Sequence, residues 1–444
     1  MENDIIVAVA TSRLEAAISV IRVSGKDCID FVQSFFTGKI ANKASHTLTY
    51  GFLKDAGQKV DEVMVSIYRG TKTFTGEEMV EISCHGGVFI TNQVLQLCLN
   101  KGARMADRGE FTKRAFLNGR IDLAQSEAVL DLITAKNEIA SQLALKGIQG
   151  SISTFINDLE EELIALITNI EVNIDYPEYL DIEQLTTEVL LERSVGLKLK
   201  MDRILEDSKN VKLVKDGIST VIIGKPNVGK SSLLNALLKE DKAIVTDIAG
   251  TTRDIVEGDI SIDGIMLNII DTAGIRETDN MIEAIGVSKS RGLIDQADLV
   301  LLVLDGSKDL EKEDNELIEL TDKTNRILVI NKSDQGLKIE LEGVKISAKN
   351  QEIHELIAEI KKLFDLGMIA KNSDHLLTNV RQNQLLYQAS QALDSAIEAM
   401  NNLIPPDLVV EDLYEAWSCV KEILGQEAKE DLLDELFKRF CIGK

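Results

Sequence analysis

The segment GKPNVGKS at residues 224–231 carries the clearest chemical signal in this sequence. It matches the phosphate-loop pattern GxxxxGK[ST] and lies between a predicted strand at 220–224 and a predicted helix at 230–238. In such a loop, backbone N–H groups and the start of the helix surround phosphate oxygens. Lys230 is predicted to contact the β- and γ-phosphates, and Ser231 to hold Mg²⁺. The segment therefore predicts a nucleoside triphosphate ligand.

Three further segments follow in the order of a guanine-nucleotide site. DTAG at 271–274 matches a DxxG switch for magnesium and the γ-phosphate, and GTTRD at 250–254 lies between it and the phosphate loop, where a switch threonine is expected. In NKSD at 331–334, the Asp334 carboxylate accepts from donors that guanine has and adenine lacks. SAK at 347–349 fits a loop that contacts the base. The predicted GTP contacts are Asn227, Val228, Gly229, Lys230, Ser231, Ser232, Thr246, Asp247, Ile248, Ala249, Gly250, Thr251, Thr252, Asp271, Thr272, Ala273, Gly274, Asn331, Lys332, Asp334, Ser347, Ala348 and Lys349.

The residue that orients the attacking water does not follow from these motifs alone. Ras-like proteins place a glutamine directly after DxxG, but this position is Ile275, which cannot polarise water. Arg276, Glu277 and Glu283 are near in sequence, and a carboxylate can orient water. Each of the three is equally compatible with a solvated charge on a switch segment.

Alternating strands and helices between about 211 and 365 supply the elements that must position these groups. A hairpin is predicted at 259–271 with its turn at Asp263-Gly264, and short apolar strands at 298–305, 326–331 and 344–347. This alternation is typical of an α/β, largely parallel, doubly wound sheet.

On both sides of this α/β region, the spacing of apolar residues is different. Short strands at 5–10, 18–23, 63–68 and 79–84 and a helix after Gly86-Gly87 predict an α+β N-terminal region. From about 119 to 210, and again from about 375, apolar residues recur every three or four positions. Two helical stretches around an α/β unit predict one helical domain interrupted by an insertion. Trp417 and Phe437 are predicted to lie in its core, and His85 to be structural.

Composition excludes several classes of protein. Lys plus Arg is 49 and Asp plus Glu is 73, so the formal charge of −24 opposes nucleic-acid binding over the whole surface. The five cysteines form no CxxC pair, which disfavours a zinc site or a disulfide framework and favours a reducing, cytoplasmic location. No stretch approaches the roughly 20 apolar residues of a membrane span.

Several segments together resemble the MnmE/TrmE family of tRNA-modification GTPases over essentially the whole chain. They are the phosphate loop, IVTDIAGTTRD at 244–254, DTAGIRET at 271–278, GEFTKRAFLN at 109–118, DLAQSE at 122–127 and the terminal FCIGK at 440–444. The resemblance implies a tetrahydrofolate-binding and dimerisation domain at 1–118. It further implies a discontinuous helical domain at 119–210 and 371–444, and an inserted Ras-like P-loop G domain at 211–370.

The resemblance also implies an activity. Such proteins form homodimers and act with an FAD-containing partner of the MnmG/GidA type, in a heterotetramer or a larger assembly, with FAD on the partner only. They add an aminomethyl or carboxymethylaminomethyl group to carbon 5 of the wobble uridine in certain tRNAs. A 5,10-methylene- or 5-formyl-tetrahydrofolate binds, and the methylene form supplies the one-carbon unit. GTP hydrolysis is K⁺-activated and coupled to dimerisation of the G domains.

The resemblance also implies roles for individual residues, motif by motif. The resemblance implies K⁺ ligation by Asn227, Thr246, Ile248 and Thr251, Mg²⁺ ligation by Ser231 and Thr252, and folate binding by Arg22, Glu81, Arg120 and Lys444. The implied catalytic groups are Glu283, which positions water, Lys230, and Cys441, which could equally be a small packing residue. A carboxylate suits the donor pair of a pterin, and basic residues suit the carboxylates of the folate tail. Residues 12–18 depart from the family, which is Gly-rich there.

Two other functions remain open on the G-domain motifs alone. A ribosome-assembly GTPase without modification chemistry would need a basic RNA-binding appendage, and no GXXG loop in a KH context is evident. A membrane-remodelling GTPase would need a basic or lipid-inserting segment, which the sequence also lacks.

Overall fold

The computed structural model describes residues 4–175, 187–208, 211–239, 244–245, 258–262, 265–270, 292, 294, 296–364 and 376–444. Two compact units divide the chain. The first consists of Met1–Leu130, Ile148–Gln184 and Glu398–Lys444, and the second of Asp131–Gly147 and Leu185–Ile397. Both units are discontinuous in sequence, as an insertion into a helical domain produces.

A six-stranded sheet forms the N-terminal part of the first unit. Its order is β3-β4-β5-β2-β1-β6, antiparallel throughout except for the parallel pair β1 and β6. The strands are β1 Ile6–Val9, β2 Ile18–Ser24, β3 Thr47–Asp55, β4 Gln58–Tyr68, β5 Met79–His85 and β6 Arg104–Met105. The helices of this region are α1 Cys28–Gln33, α2 Val88–Asn100 and α3 Glu110–Leu117.

The two faces of this sheet have different surroundings. Because side chains alternate along a strand, Val63, Val65 and Ile67 of β4 point to one face, where they join the buried core with α1 and α2. On the opposite face, Phe111 of α3 packs with Ile6 and Ala8 of β1. We call this second face, where it extends over β2 to β5, the open face.

A helical stretch follows and leads into the second sheet. It consists of α4 Leu123–Thr134, α5 Glu138–Ile148, α6 Ser151–Asp175, α7 Thr187–Ser208 and α8 Val211–Asp216. The apolar spacing that predicted α6 becomes one buried stripe, because residues three and four apart share a helix face. Ile152, Leu159 and Leu163 in that stripe are almost fully buried.

The second unit contains a seven-stranded sheet of order β13-β12-β11-β7-β10-β9-β8. Strands β13 to β10 in this order are parallel, and β9 and β8 extend the sheet antiparallel. Its strands are β7 Ile218–Ile223, β8 Ile244–Val245, β9 Gly258–Ile262, β10 Ile265–Ile269, β11 Leu299–Asp305, β12 Arg326–Asn331 and β13 Val344–Lys345, and its helices are α9 Lys230–Leu238, α10 Lys312–Leu320 and α11 His354–Leu363.

The interior strand β11 shows why the parallel strands of this sheet have continuous apolar sequences. Leu299, Leu301 and Val303 pack into one buried cluster, and Leu302 and Leu304 into another. A parallel strand covered on both faces cannot alternate apolar and polar residues. The predicted multidomain α/β and α fold with a doubly wound sheet is confirmed.

Three helices complete the chain: α12 Val380–Asn401, α13 Pro406–Leu424 and α14 Glu430–Phe437. In the first unit α13 packs along α6, and Tyr414 donates to Glu171 at 2.6 Å. Phe437 is buried as predicted, but Trp417 is only half-buried, with the Lys421 ammonium 4.3 Å and the Tyr414 ring 5.9 Å from the centre of its ring. Among the described residues, none of the helices combines the length and apolar character that crossing a membrane requires.

Candidate functional site

The phosphate loop connects β7 to α9, in the strand–loop–helix context that its sequence predicted. Gly229 has φ 102°, and a Cβ there would lie 2.2 Å from Asn331 Nδ2, so only glycine fits this position. Asn227 also has a positive φ of 63°, which asparagine tolerates better than most residues. The loop therefore holds a backbone conformation that brings its N–H groups to the start of α9.

Lys230 lies over this loop. Its ammonium donates to the carbonyls of Gly224 at 2.9 Å and Lys225 at 2.8 Å. Ser231 and Ser232 follow in the first turn of α9, where N–H groups and the helix dipole favour an anion. This arrangement suits the phosphates of a nucleotide, and a hydroxyl such as that of Ser231 is the group that ligates Mg²⁺ in phosphate loops.

Asn331 joins three of the predicted motifs. Its buried side chain donates from Nδ2 to the Val228 carbonyl at 2.9 Å and accepts at Oδ1 from the Ala348 N–H at 3.1 Å. Lys332 reaches the same loop, donating to the Asn227 carbonyl at 2.8 Å. The structure thus brings the phosphate loop, the NKSD segment and the SAK segment together.

Asp334 lies in a 3₁₀ turn, Ser333–Gln335, that follows β12. The Ser347 hydroxyl donates to its Oδ1 at 2.8 Å, which fixes the carboxylate beside the SAK segment. Asp305 pairs with Lys332 at 2.7 Å. Burial alone would raise the pKa of Asp305, but hydrogen bonds from Lys332 and Ser307 outweigh it and hold that pKa below its ordinary value.

Lys225 is a residue of this site that the sequence reading did not single out. Its ammonium lies 2.7 Å from both Glu311 and Asp314, and Asp314 is the N3 residue of a capping box on α10. Glu311 and Asp314 are not the Ser/Thr and Glu/Gln that such a box usually has, so the local sequence did not mark it. These contacts fix the loop to α10.

The remaining predicted GTP, K⁺ and water-positioning residues lie outside the described residues. They are Thr246, Asp247, Ile248, Ala249, Gly250, Thr251, Thr252, Asp271, Thr272, Ala273, Gly274 and Glu283. The neighbouring Ile275, Arg276 and Glu277 lie outside them as well.

A second cluster of predicted residues forms on the open face of the N-terminal sheet. Arg22 and Glu81 stand opposite each other on β2 and β5, and the guanidinium donates from Nε and Nη2 to Glu81 Oε1 at 3.0 and 2.9 Å. The Tyr68 hydroxyl donates to Glu81 Oε2 at 3.3 Å. Burial and the Glu81 charge both raise the pKa of Tyr68, so it remains a donor at neutral pH.

Phe74 completes this cluster and was not predicted. The Arg22 guanidinium lies 4.5 Å from the centre of its ring and the Arg120 guanidinium 5.3 Å. Arg120 also donates to the Phe74 carbonyl at 2.7 Å. Phe74 lies in a loop without periodic pattern, so no sequence signal marked it.

The C-terminal tail, residues 440–444, reaches the same cluster. Phe440 is fully buried, Ile442 forms an antiparallel bridge with Arg108, and Arg22 Nη1 donates to the Gly443 carbonyl at 3.2 Å. Lys444 is the next residue, so the structure brings the chain end close to Arg22. Cys441 is exposed in this tail.

The other thiols and His85 differ from Cys441 in their surroundings. Burial raises the pKa of the thiols of Cys28 and Cys98, the latter to about 12, so both stay protonated. His85 is exposed, and its Nδ1 lies 2.7 Å from Asp61 Oδ1. A hydrogen bond to Asp61 raises the pKa of His85, and the same carboxylate accepts the His85 N–H, which agrees with a structural histidine.

Taken together, a phosphate loop at the start of a helix and an NKxD aspartate on one doubly wound sheet define a guanine-nucleotide-binding P-loop protein. Two family models match the chain: "GTP-binding protein TrmE N-terminus" over residues 5–120 and "MnmE helical domain" over residues 123–441. The chain belongs to the MnmE family, and the resemblance predicted from the sequence is confirmed.

Curated relatives match the whole chain. The tRNA modification GTPase MnmE of Lactococcus lactis subsp. cremoris is 46% identical over 450 residues, which covers 100% of this chain and 99% of the relative. The protein of the same name from Streptococcus pneumoniae is 45% identical over 454 residues, with the same coverage. Among solved structures, the G domain of the T. maritima FeoB iron transporter is 26% identical and covers 33% of this chain and 98% of its own, with a TM-score of 0.24.

Proposed function

We propose that this protein is a GTPase that modifies the wobble uridine of certain tRNAs. With an FAD-containing partner of the MnmG/GidA type, it adds an aminomethyl or carboxymethylaminomethyl group to carbon 5, using the one-carbon unit of methylene-tetrahydrofolate. The observation that carries this proposal is that a chain matching tRNA modification GTPases over its whole length keeps the phosphate loop and the NKSD aspartate joined through Asn331.

At the GTP site, each described residue has a role that its chemistry supports. The Lys230 ammonium exchanges two loop carbonyls for phosphate oxygens, and Asp334 accepts from the guanine edge. Ser231 and Thr252 would hold Mg²⁺, and Asn227, Thr246, Ile248 and Thr251 would hold K⁺. When bound, these cations neutralise charge that develops on the transferred phosphoryl group. Glu283 would position the attacking water.

The cluster around Glu81 supports the proposed folate site. Glu81 can accept from the donor pair of a pterin, and the Phe74 ring packs against the guanidinium groups of both Arg22 and Arg120, which holds these two predicted folate residues together. Arg120 and Lys444 would hold the carboxylates of the folate tail. Cys441, exposed in the adjoining tail, would lie near the one-carbon unit.

Assembly is the remaining part of the proposal. The chain forms a homodimer through the open face of its N-terminal sheet, and K⁺ with GTP brings two G domains together across their switches. The helical domain relays that change to the folate site. Most tRNA contacts lie on the partner, which suits a chain of formal charge −24, and the reducing cytoplasm suits its unpaired cysteines.

Nucleoside analysis of tRNA from a deletion strain tests the modification. We expect the modified wobble uridine to disappear on deletion, and to return with the wild-type gene but not with a Lys230→Ala gene. Unchanged nucleosides would refute the tRNA activity and leave GTP hydrolysis standing. Co-sedimentation of the protein with ribosomal subunits in GTP, with unchanged nucleosides, would instead favour a ribosome-assembly GTPase.

A further inference from the structure

The guanidinium of Arg22 connects the sheet to the C-terminal tail. One edge of it donates twice to Glu81 Oε1, at 3.0 and 2.9 Å, and Nη1 donates to the Gly443 carbonyl at 3.2 Å. The rings of Phe74 and Phe111 lie 4.5 and 5.6 Å from it, and the side chain is mostly buried. Arg22 is therefore fixed by partners from both sides.

Glu81 has too few lone pairs to keep all of its present partners and also bind a pterin. A carboxylate offers about four lone-pair sites, two on each oxygen. Both sites on Oε1 accept from Arg22, and Oε2 accepts from Tyr68 at 3.3 Å. A parallel pair of N–H donors needs one site on each oxygen, so its binding displaces at least one Arg22 N–H from Oε1.

The tail depends on a small number of close contacts. Gly443 has φ 93°, and a Cβ there would lie 2.5 Å from the Val9 carbonyl oxygen, so the backbone runs tightly against β1. The Gly109 N–H donates to the Cys441 carbonyl at 3.3 Å. The bond from Arg22 to Gly443 adds to these, and it comes from the residue that also holds Glu81.

We propose that Arg22 is a positioning residue that couples occupancy of Glu81 to the position of the tail. When the donor pair of a pterin binds Glu81, the guanidinium leaves Oε1 and its bond to the Gly443 carbonyl is lost. The segment from Cys441 to Lys444 is then released from the sheet, and Lys444 is free to reach the carboxylates of the bound ligand. This inference rests on the proposed folate site and adds that the C-terminal tail changes position when that site is occupied.

A nitroxide label on Cys441 measures the release directly. Cys28, Cys84 and Cys98 are buried, so a Cys419→Ser background leaves Cys441 as the thiol that reacts. On saturation with 5-formyl-tetrahydrofolate, we expect the ratio of mobile to immobile label in the electron paramagnetic resonance spectrum to rise roughly tenfold, a change equivalent to about 1.4 kcal/mol. Arg22→Ala should show the mobile spectrum without ligand.

Arg69→Ala is the matched control, because Arg69 also pairs with a carboxylate of the same sheet region, Glu78, at 3.2 Å. This variant should leave the label immobile. Identical wild-type spectra with and without saturating ligand would overturn the coupling. An immobile label in Arg22→Ala would overturn the role of Arg22. Should that variant not fold, Gly443→Ala crowds the Val9 carbonyl, leaves the Arg22–Glu81 pair intact, and should free the label in the absence of ligand.

Calorimetric titration separates this inference from the function on which it rests. If 5-formyl-tetrahydrofolate does not bind the wild type, the folate proposal and the coupling both fail. The comparison of wild type and Arg22→Ala without ligand then still decides whether Arg22 holds the tail.

Discussion

We propose that guanine selection depends on the single carboxylate of Asp334. The Ser347 hydroxyl donates to its Oδ1 at 2.8 Å and holds the carboxylate beside the SAK segment. In Asp334→Asn an N–H group faces the guanine donors, and a charged hydrogen bond of about 1.5–3 kcal/mol is lost. We expect GTP affinity to fall by at least about tenfold. Xanthosine triphosphate, which carries a carbonyl in place of the 2-amino group, should bind the variant better than GTP does.

Titration with fluorescent nucleotides measures both affinities. Asp216→Asn is the control, because it removes an exposed carboxylate just before the start of β7, the end opposite the phosphate loop, and should change neither affinity. Equal GTP affinity in wild type and Asp334→Asn would show that the NKSD segment does not select guanine.

Asn227 is the described residue on which the K⁺ proposal depends. Its carbonyl accepts from Lys332 at 2.8 Å, so truncation of the side chain leaves the loop attached to β12. We expect Asn227→Ala to lose the stimulation of GTP hydrolysis by K⁺ over Na⁺, with its rate in Na⁺ unchanged. Steady-state hydrolysis at equal concentrations of the two salts provides the measurement.

Asn227→Gly removes the same amide but relieves the positive φ of 63°, so it separates ligand loss from backbone strain. Both variants should behave alike if the amide holds the ion. Equal wild-type rates in K⁺ and Na⁺ would remove K⁺ from the proposal and shift attention to Arg253 or Arg276.

Local sequence predicted those elements whose ends carry strong signals. The bounds of α9 and β12 match the predicted ones, since a glycine precedes the helix and polar motif residues end the strand. Strand β3 was missed because Gly51 interrupts its alternation of polar and apolar residues. The hairpin between β3 and β4 turns at Ala56-Gly57, both with positive φ, and alanine is a rare choice there.

The Arg22 cluster was beyond any local signal. Arg22 and Gly443 are separated by 421 positions, so their contact follows from the tertiary fold alone. Only the family resemblance pointed to both ends of the chain. Tyr68 and Phe74 lie in no motif and were found only from the structure. Lys225 lies within the phosphate loop, but only the structure shows its contacts with α10.

A carboxylate–guanidinium network fastens β1, β6 and α3 to one another. Arg104 and Arg114 both pair with Asp4 and Glu110, and Glu77 also pairs with Arg114. Burial alone would raise the pKa of Glu110, but hydrogen bonds from Arg104, the Asp107 N–H and Arg114 outweigh it and lower that pKa below 4.5. Burial alone would raise the pKa of Asp4 as well, but hydrogen bonds from Arg104 and Arg114 outweigh it and lower that pKa.

A lowered folded-state pKa sets the direction of the pH dependence. The stabilisation from Glu110 is fully present above pH 4.5 and is lost as the pH falls through the folded-state pKa below it. We expect the first unit to lose unfolding free energy in this acid range, and Glu110→Gln to show a smaller loss. Trp417, the sole tryptophan and part of this unit, reports its urea unfolding. Glu15→Gln, an exposed control, should follow the wild type; a wild-type stability that is flat below pH 4.5 would contradict the prediction.

In the second unit, residues 131–138 contact both the seven-stranded sheet and the segments that lead into and out of it. Asp131 pairs with Lys215 and accepts from Thr378 at 2.8 Å, and Lys136 pairs with Asp259 of β9 at 2.7 Å. Asn137 donates to the Val214 carbonyl at 2.7 Å. Both ends of the insertion are thus tied to one short segment, which gives the proposed relay from the nucleotide site a physical route within this unit.

The proposed homodimer has its strongest support on the open face. Ile18, Leu48 and Tyr50 are 59%, 53% and 55% exposed there, although their strands are otherwise well packed. A stable interface buries roughly 800 Å² on each partner and has an apolar centre. We expect the wild type to sediment as a dimer and Tyr50→Glu to sediment as a monomer, because the new charge would lose its water at the centre of the interface.

Tyr387, 54% exposed on α12, provides the matched control, and Tyr387→Glu should remain dimeric. Dimers that persist in Tyr50→Glu would move the interface away from this face, and monomeric wild type at micromolar concentration would refute the dimer itself.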